Sequence, residues 1–522
     1  MKITIYLLSF LLALSCVFTW HLDDIADDPG VGWHLKTGEY VAEHGTAPVT
    51  DPFLARELPL PWVSDQWLGD YFLFRIFQLF SWSGLYTFCV LLFFLPYYGV
   101  LQVTAYRFLR GSFAQHAVPS RLILASLSTA MASYFCSKLG LVHLIIRPVL
   151  FGYAFFAIEF AILFRFYILL TRRDDQTAAL QYLRKNLFWL PLLFVLWANV
   201  HPSFVVGLFL LALLTAAVVV DKFLLKFRYS SRISNVLVIL GALCTAVTLI
   251  NPYGLLLHES IFSLARSDYF MSLNSEWKSL GFRHLEGTLF EILFGTIVVA
   301  IFIVRREKLP WRTFEFALFF CFAHFSLQSV RMLPYFALSV LPLFAESMHV
   351  LLQVILRHSP LDDQEEKVVL SYKRSTRTTF VLVCCILFFL SLSNNAVGWY
   401  AGPYGPRKTK FPYDALAFLN EQAGEKRVYA TPNWGGFLTF YGKNGTRALI
   451  DDRNTMLGEE VYKDYFEVEK LSPRSEKILT SLRATHLLLY KESALARKYR
   501  QDKEIAFEGD TSVVIKLIRD AL

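Results

Sequence analysis

The sequence has few cysteines, and none of them lies in a polar loop. Long apolar segments contain all seven, which are Cys16, Cys89, Cys136, Cys244, Cys321, Cys384 and Cys385. This distribution argues against a disulfide framework and against a zinc site built from cysteine pairs. An Ala-x-Ala cleavage motif is also missing between the first apolar segment and Trp20. We therefore expect that segment to stay attached as a membrane anchor.

Charged residues are scarce as well. They make up 18% of the 522 residues, whereas hydrophobic residues make up 55% and the mean hydropathy is +0.42, which is too apolar for a soluble globular protein. The apolar segments able to cross ~30 Å of hydrocarbon span 4–20, 85–108, 118–137, 147–171, 186–200, 203–221, 233–251, 287–304, 311–328, 331–355 and 378–397. The prediction is a polytopic α-helical membrane protein with about eleven transmembrane helices. A shorter amphipathic stretch, 67–82, is expected to lie along the interface.

The formal net charge of +8 would suggest nucleic-acid binding in a soluble protein. Here the basic residues gather in every second loop between apolar segments, so membrane topology explains them and no nucleic-acid partner is expected. The positive-inside rule places the N-terminus in the cytoplasm. It places the loop from Asp23 to Asp28, and everything after Tyr400, outside the cytoplasm.

The chain divides into two predicted domains. Residues 1–400 form the transmembrane domain, with a large first outer loop at 21–84, and residues 401–522 form an extracytoplasmic soluble domain. In the second part, strands near 427–430, 446–450, 485–490 and 512–518 alternate with helices near 412–422, 458–469, 475–483 and 492–500. This alternation predicts a small α/β layer domain. Trp434, which precedes two glycines, either binds an acceptor glycan or fills a packed turn.

Conspicuous polar residues at the ends of the apolar segments fall on the same outer side. They occur in Arg147-Pro148, Trp197-Ala198-Asn199-Val200-His201, Asn251-Pro252-Tyr253-Gly254, Glu276-Trp277 and Ser329-Val330-Arg331. Acidic residues of the first outer loop join them, and acids this close to hydrocarbon are costly unless they face water. We therefore expect one site at the outer leaflet, with Asn199 and Glu276 among its further candidates.

Isolated arginines beside carboxylates suit a lipid-phosphate substrate. Arg147 and Arg331 are the candidates for contacting the phosphate, because a guanidinium presents a charged planar fork to phosphate oxygens. The alternative for each is snorkelling at a helix end. Asp28 is the candidate general base, which would take the proton from an attacking hydroxyl as the lipid phosphate leaves. Asp27 is less favoured, because acids at a loop start are often solvated or cap a helix.

Four other residues have two readings each. His34 binds phosphate or orients the base, or else it is a hydrogen-bonded structural histidine. His201 lines the cavity, or it marks a break between two helices at the following proline. Asp51 and Asp65 add acceptor or metal contacts; for Asp51, which precedes a proline, the alternative is an aspartate that starts a turn. Oxygen ligands near Asp28 would suit Mg²⁺ or Mn²⁺, but the sequence shows no complete ligand set, so no cofactor is assigned.

With these residues assembled, the chain resembles a bacterial branch of the GT-C superfamily. These polytopic transferases use polyprenyl-phosphate-linked sugars, and they include protein mannosyltransferase-like and oligosaccharyltransferase-like families. The resemblance covers nearly the whole chain and is carried by Asp28-Pro29-Gly30-Val31-Gly32-Trp33-His34-Leu35-Lys36-Thr37-Gly38-Glu39, Thr50-Asp51-Pro52-Phe53, Pro61-Trp62-Val63, Gln66-Trp67-Leu68, Arg147-Pro148, Trp197-Ala198-Asn199-Val200-His201, Asn251-Pro252-Tyr253-Gly254, Glu276-Trp277, Arg331, Trp434-Gly435-Gly436-Phe437-Leu438 and Ile450-Asp451-Asp452-Arg453.

The resemblance implies that an acidic residue of the first outer loop, here Asp28, supports catalysis and that the sugar donor is a lipid phosphate. It also implies an integral protein of the bacterial inner membrane. One residue departs from the pattern: Gln66 stands where relatives often carry glutamate before Trp-Leu. Any role of that carboxylate is therefore absent or moved.

Three functions are compatible with the residues. The first is a glycosyltransferase that moves a hexosyl or pentosyl group from a polyprenyl-phosphate donor to a hydroxyl of a lipid, glycan or protein; it predicts that Asp28, Arg147 and Arg331 converge on one cavity. The second is a lipid or glycolipid transporter or flippase, which would carry charges through mid-membrane and two pseudo-symmetric halves. No convincing match between halves is found. The third is a non-catalytic envelope scaffold with solvated loop acids.

Overall fold

The computed structural model of the protein describes residues 25–110, 119–171, 176–186, 189–224, 226, 230–305, 313–356 and 405–517. These residues form a bundle of apolar helices followed by a five-stranded sheet with its own helices. The predicted spans 4–20 and 378–397 lie outside the described residues, as do Asp23 and Asp24.

The helices of the first part carry the labels α1 to α13 in chain order. They are Val31–His44, Trp67–Arg110, Pro119–Gly140, Val149–Leu170, Gln176–Asn186, Trp189–Val200, Phe204–Phe223, Ser231–Val247, Leu255–Arg266, Asp268–Leu273, Leu285–Arg305, Thr313–Gln328 and Leu333–Leu356. Within the described residues, three single turns of 3₁₀ helix lie next to α-helices, at Leu141–His143, Ser275–Trp277 and Val330–Met332. These turns carry several of the polar residues that the sequence singled out.

The predicted class, a polytopic helical membrane protein with a C-terminal α/β domain, is confirmed. Within the described ranges, 5 helices are long and apolar enough to cross a membrane: Trp67–Val100, Val149–Leu170, Phe204–Phe223, Leu285–Phe302 and Val330–Leu352. The other predicted spans of the described chain also coincide with helices, but α6 and α8 have only 12 and 17 residues. The predicted number of eleven spans is therefore not confirmed.

Helix α2 joins the predicted interfacial stretch to the first described span. The backbone bends at Ser81, whose φ of 57° and ψ of −162° are not helical. The segment before the bend packs against α1, and the contact depends on a glycine: a Cβ placed on Gly38 would lie 2.2 Å from the carbonyl oxygen of Asp70. Helix α1 is therefore held closely against the start of a membrane helix.

The C-terminal part forms a mixed sheet covered by helices. Strands β1 to β5 are Lys426–Ala430, Thr446–Ala448, His486–Tyr490, Glu504–Glu508 and Ser512–Lys516, and helices α14 to α18 are Tyr413–Glu421, Pro432–Tyr441, Asn454–Glu469, Ser475–Ser481 and Ala494–Asp502. The strand order is β2-β1-β3-β5-β4. Strands β2, β1 and β3 are parallel, whereas β5 runs antiparallel to both β3 and β4.

The sequence patterns missed two elements of this domain. Helix α15 contains two adjacent glycines, which lower intrinsic helix propensity and led to the prediction of a loop or turn there. Strand β4 lies at the sheet edge and is mostly exposed, so it lacks the alternation of buried and exposed residues that reveals a strand.

Helices α1 and α15 cross at a contact made by backbone rather than by side chains. A Cβ placed on Gly32 would lie 2.0 Å from the carbonyl oxygen of Gly436, and one placed on Gly436 would lie 2.3 Å from the carbonyl oxygen of Pro29. Only glycine permits so close an approach. The first loop and the soluble domain are therefore packed directly on each other.

The later part of the first loop is bound to the same domain by hydrogen bonds. The Ala55 N–H donates to the carbonyl of Ala448 at 2.8 Å, and the Arg447 guanidinium donates to the carbonyls of Phe53 and Leu54 at 2.9 and 2.7 Å. These bonds attach the loop beside strand β2. The boundary between the two domains is thus crossed by many native contacts.

A buried ion pair completes this junction. Arg453 donates from Nη1 to Asp51 at 2.9 Å and from Nε to Asp451 at 2.8 Å, and its guanidinium carbon lies 4.5 Å from the centre of the Trp62 ring. The carboxylate of Asp51 also accepts the N–H groups of the two residues that follow Pro52, as an aspartate that starts a turn does. Asp51 therefore joins the domains and does not line the candidate site described below.

We expect Gly32→Ala to loosen the contact between α1 and α15, because the new methyl group meets backbone that cannot rotate away. The midpoint of thermal unfolding in detergent should fall by several degrees. Gly241→Ala is the matched control: Gly241 lies within α8 with no heavy atom within 4 Å of the added Cβ, so alanine should leave the midpoint unchanged or raise it. Equal midpoints for the two variants would contradict the proposed close contact.

We expect Arg453→Met to lower the free energy of unfolding by ~3–5 kcal/mol, because it leaves two buried carboxylates unpaired. Urea unfolding followed by near-ultraviolet circular dichroism measures the change. Arg474→Met is the control, since the Arg474 side chain is 67% exposed and its partner Asp464 is 45% exposed. That exposed pair should contribute less than ~1 kcal/mol. Similar losses for both variants would argue against a structural role for Arg453.

Candidate functional site

A cavity of about 680 Å³ lies where the helical bundle meets the soluble domain. Six of the residues predicted from the sequence line it: Asp28, Asp65, Arg147, His201, Glu276 and Arg331. They come from the first loop and from the ends of helices far apart in the chain. The expected convergence of Asp28, Arg147 and Arg331 on one cavity is therefore observed, although their chemical roles stay predictions.

Arg147 occupies the centre of the polar wall. It lies just before α4, and its guanidinium donates from Nε and Nη2 to the two oxygens of Asp28, both at 2.6 Å. The backbone N–H of Gly30 adds a third hydrogen bond to Asp28, at 3.1 Å. Burial by itself lowers the pKa of Arg147, but the carboxylates of Asp28 and Glu276 raise it above its usual value. The guanidinium is therefore permanently charged, and both oxygens of Asp28 are occupied.

Glu276 provides a second carboxylate beside the same guanidinium. Its Oε1 lies 3.7 Å from Nη1 of Arg147, and its Oε2 lies 3.3 Å from Nε2 of His143. Burial raises the pKa of Glu276, but Arg147 and His143 outweigh this effect and hold the pKa well below its usual range. Glu276 is therefore ionised. His143 in turn contacts the Tyr153 hydroxyl through Nδ1 at 2.8 Å, and no sequence pattern had marked it as part of a site.

Asp452 provides the third carboxylate, from the soluble domain. Its Oδ1 accepts the indole N–H of Trp33 at 2.8 Å, and its Oδ2 lies 3.4 Å from Nη2 of Arg147. Burial raises the pKa of Asp452 to about 7; the charge of Asp28 adds to this rise and that of Arg147 opposes it. The sequence analysis noted the Asp451-Asp452 pair but assigned it no role. The two adjacent aspartates have different surroundings: Asp451 binds Arg453, whereas Asp452 faces the cavity.

Arg331 and His201 form a separate part of the wall. The Arg331 guanidinium lies 5.3 Å from the centre of the Trp277 ring, and its Nη2 is 3.5 Å from Nε2 of His201. The Ser203 N–H donates to Nδ1 of His201 at 3.0 Å, so the proton of the neutral imidazole is on Nε2. Burial lowers the pKa of His201, and Arg331 lowers it further. Two N–H donors therefore point into one region of the cavity.

An anion would satisfy both donors, since neither can accept a hydrogen bond from the other. Among the residues that the structure describes, no ion pair to a carboxylate is formed by Arg331. This arrangement differs from that of Arg147, which already has three acidic neighbours. Acidic side chains of the cavity are thus in contact with Arg147, whereas Arg331 feels the charges of Asp65 and Glu276 without forming an ion pair with either.

Asp65 lies near Arg331 in the same cavity. Its carboxylate accepts a hydrogen bond of 3.4 Å from the side chain of Gln66, and burial raises the pKa of Asp65 to about 6. The structure places Asp65 in the lining of the cavity, and its contact with an acceptor or metal stays a prediction.

The other predicted residues lie outside the cavity. Asp27 accepts hydrogen bonds from the backbone N–H and the guanidinium of Arg407, and it lies 3.1 Å from the ammonium of Lys410. It therefore anchors the start of the soluble domain. Asn199 donates to the carbonyl of Ile250 at 2.8 Å and accepts from the Trp67 indole at 3.2 Å, so it connects helix ends.

His34 and Trp434 are also enclosed by protein. Nδ1 of His34 lies 2.6 Å from the carboxylate of Asp70 in a fully buried pair, and burial lowers the pKa of His34 well below its usual value. This placement fits the structural alternative rather than a phosphate contact. Trp434 is 1% exposed and donates to the carbonyl of Lys410 at 2.9 Å, so the suggested role of Trp434 in glycan binding is wrong.

A divalent cation has no ready ligand set in this cavity. Within the described residues, no group of three or more histidine, cysteine, aspartate or glutamate side chains has the geometry to hold a metal ion. Asp28, Glu276 and Asp452 do converge, but on the guanidinium of Arg147. The charge that would attract Mg²⁺ or Mn²⁺ is thus balanced by an arginine, and these residues as placed do not fit a bound ion.

No family model and no curated protein matches the sequence. Among solved structures, the fold is similar to the archaeal oligosaccharyltransferase AglB from Archaeoglobus fulgidus in complex with an inhibitory peptide and a dolichol-phosphate. The TM-score is 0.59 at 11% identity, over 94% of this chain and 69% of that chain. The apo form of the Archaeoglobus fulgidus oligosaccharyltransferase gives a TM-score of 0.54 at 12% identity, over 94% and 70% of the two chains.

A bacterial structure matches along almost its full length. ArnT from Cupriavidus metallidurans bound to undecaprenyl phosphate gives a TM-score of 0.50 at 13% identity, over 97% of each chain. Identities this low establish the fold and leave the activity open. The chain therefore shares the fold of these AglB and ArnT structures.

Proposed function

We propose that this protein is a membrane glycosyltransferase. It moves a sugar from a polyprenyl-phosphate-linked donor to a hydroxyl group of a lipid, glycan or protein on the extracytoplasmic side. The observation that carries the proposal is a single cavity whose walls differ in chemistry from one side to the other. Such a cavity suits a ligand that is apolar at one end, anionic in the middle and hydroxylated at the other end.

The apolar wall fits a lipid chain. It is built from side chains of α7, α9 and α12 and of the turn before α13, namely Val205, Val206, Phe209, Ile261, Leu264, Phe325 and Met332. Helix α7 is also one of the helices long and apolar enough to cross a membrane. This apolar lining is the part of the cavity that would contact a polyprenyl chain. The similar AglB and ArnT structures were bound to dolichol-phosphate and undecaprenyl phosphate, which are ligands of this class.

The lipid phosphate would bind between the two arginines. Arg331 and His201 present N–H groups that have no acceptor in each other, and a phosphate oxygen can accept from both. Arg147 lines the same cavity. As the bond from the sugar to phosphate breaks, negative charge grows on the phosphate, and fixed cations stabilise that charge.

The acidic side chains around Arg147 would receive the acceptor hydroxyl. Asp28 is the general base that the sequence predicts, and it lies within 2.6 Å of the Arg147 guanidinium. Because Arg147 occupies both oxygens of Asp28, this carboxylate also fixes where the guanidinium points. Asp28 therefore determines where the positive charge of Arg147 lies relative to the phosphate, whichever group takes the proton from the acceptor hydroxyl.

We expect Asp28→Asn to slow sugar transfer in a folded protein, with a loss of ~10²-fold or more in kcat. The loss follows because the amide neither binds Arg147 as strongly nor takes up a proton. Release of radiolabelled sugar from a panel of polyprenyl-phosphate donors, by purified protein in lipid, measures it. Full activity of Asp28→Asn would remove Asp28 from the site. Donor binding without turnover by the wild type would favour the transporter alternative.

We expect Arg331→Gln to raise the KM for the donor by ~10–100-fold, since a hydrogen bond to a charged group contributes ~1.5–3 kcal/mol. Arg331→Lys should recover only part of this loss, because lysine lacks the planar fork. The control is Arg283→Gln, which removes an exposed arginine outside the cavity. Steady-state kinetics with varied donor concentration provide the measurement. An unchanged KM in Arg331→Gln would contradict the phosphate contact.

A further inference from the structure

We propose that Asp452, which the soluble domain carries, takes the proton from the acceptor hydroxyl during sugar transfer. This inference rests on the proposed glycosyltransferase function. It gives the soluble domain a reacting group, and it gives Asp28 the task of positioning Arg147. The two carboxylates then divide the role that the sequence assigned to Asp28 alone.

The hydrogen bonds made by the two carboxylates differ. Asp28 accepts two short bonds from Arg147 and one from the Gly30 N–H, and its side chain is 6% exposed. Asp452 accepts one short bond, from the Trp33 indole, and its other oxygen has only a contact of 3.4 Å with Arg147. The Asp452 side chain is 19% exposed, toward the cavity. Asp452 therefore retains lone pairs that an incoming hydroxyl can reach.

Hydrogen bonds of the neighbouring residues fix the backbone around Asp452, so that its side chain points into the cavity. The adjacent Asp451 accepts the N–H of Arg453 at 3.0 Å, and the carbonyl of Asp451 accepts the Tyr462 hydroxyl at 2.8 Å. These bonds hold one neighbour in the protein core and leave Asp452 directed at the cavity. A carboxylate that reacts must be held in this way if it is to meet its substrate in one geometry.

Polar groups suited to an acceptor lie beside Asp452. Asn433, Asn454 and Thr455 of the soluble domain line the same cavity. Their amide and hydroxyl groups both donate and accept hydrogen bonds, as recognition of a hydroxylated acceptor requires. The acceptor would thus bind beside the soluble domain.

The surroundings of Asp452 also suit reversible protonation near neutral pH. Arg147 and the Trp33 indole favour its ionised form, whereas burial and the charges of Asp28 and Asp451 oppose ionisation, and together they raise the pKa to about 7. The nearby Tyr462 keeps its proton, because burial raises the pKa of that hydroxyl well above its usual value. A base with a pKa close to the working pH transfers protons efficiently.

The proposed step balances as follows. The acceptor O–H bond breaks and its proton passes to a carboxylate oxygen of Asp452. The acceptor oxygen forms a bond with the anomeric carbon of the sugar, and the bond from that carbon to the phosphate oxygen breaks. The polyprenyl phosphate leaves with the electron pair, stabilised by Arg331 and Arg147. Release of the proton to water restores Asp452.

The test compares pH profiles of kcat for the wild type, Asp452→Asn, Asp452→Glu and Asp28→Asn in lipid. The wild-type rate should fall as pH drops through about 7, where Asp452 becomes protonated. This fall at low pH is the acidic limb of the profile. We expect Asp452→Asn to lose ~10²-fold or more in kcat. Its profile should no longer have the acidic limb, and its KM for the donor should be unchanged. Asp452→Glu should restore part of the rate together with an acidic limb. Asp28→Asn, although slow, should keep the limb.

Asp464→Asn is the matched control, because it removes an aspartate that lies on the same domain outside the cavity. It should match the wild type at every pH. A wild type that turns over while Asp452→Asn keeps its rate and its acidic limb would overturn the role of Asp452 alone. A wild type that turns over none of the donors would instead overturn the proposed function, and with it the inference. The two failures are therefore distinguishable.

Discussion

The guanidinium of Arg147 is shared by carboxylates from three separate parts of the chain, and the geometry of the candidate site depends on that sharing. Asp28 belongs to the first loop, Glu276 to a turn between helices, and Asp452 to the soluble domain. A buried charge is tolerated only when it is paired, so the arginine and the acids must be brought together when the chain folds. The polar wall of the cavity exists only in the assembled protein.

This sharing leaves the charges of the cavity unevenly distributed. Arg147 is paired with acids at contact distance, whereas Arg331 lies beside an aromatic ring and a neutral histidine and forms no ion pair with Asp65 or Glu276, although it feels their charges. An anionic ligand gains most beside Arg331, and a group that gives up a proton gains most beside the acids around Arg147.

Close backbone contact is what keeps the two domains in one arrangement. Gly32 and Gly436 allow α1 and α15 to touch, and Arg453 joins Asp51 of the loop to Asp451 of the domain. Without these contacts Asp452 would not lie beside Arg147. The soluble domain is therefore better described as one wall of the site than as an attachment to the membrane domain.

The sequence by itself determined the helical membrane class, the α/β tail and the common location of Asp28, Arg147 and Arg331, because hydropathy, charge and short motifs are local properties of the chain. Only the tertiary structure decided the partners. Arg147 meets Asp28 across 119 positions and Asp452 across 305 positions, and no local pattern encodes such pairs. For the same reason Asp27 and Asp51 proved to be interface anchors, and His143 and Asp452 were found at the site only in the folded protein. Packing between distant segments decides which carboxylate is buried, which is paired and which stays accessible. Local patterns in one sequence do not reveal that packing.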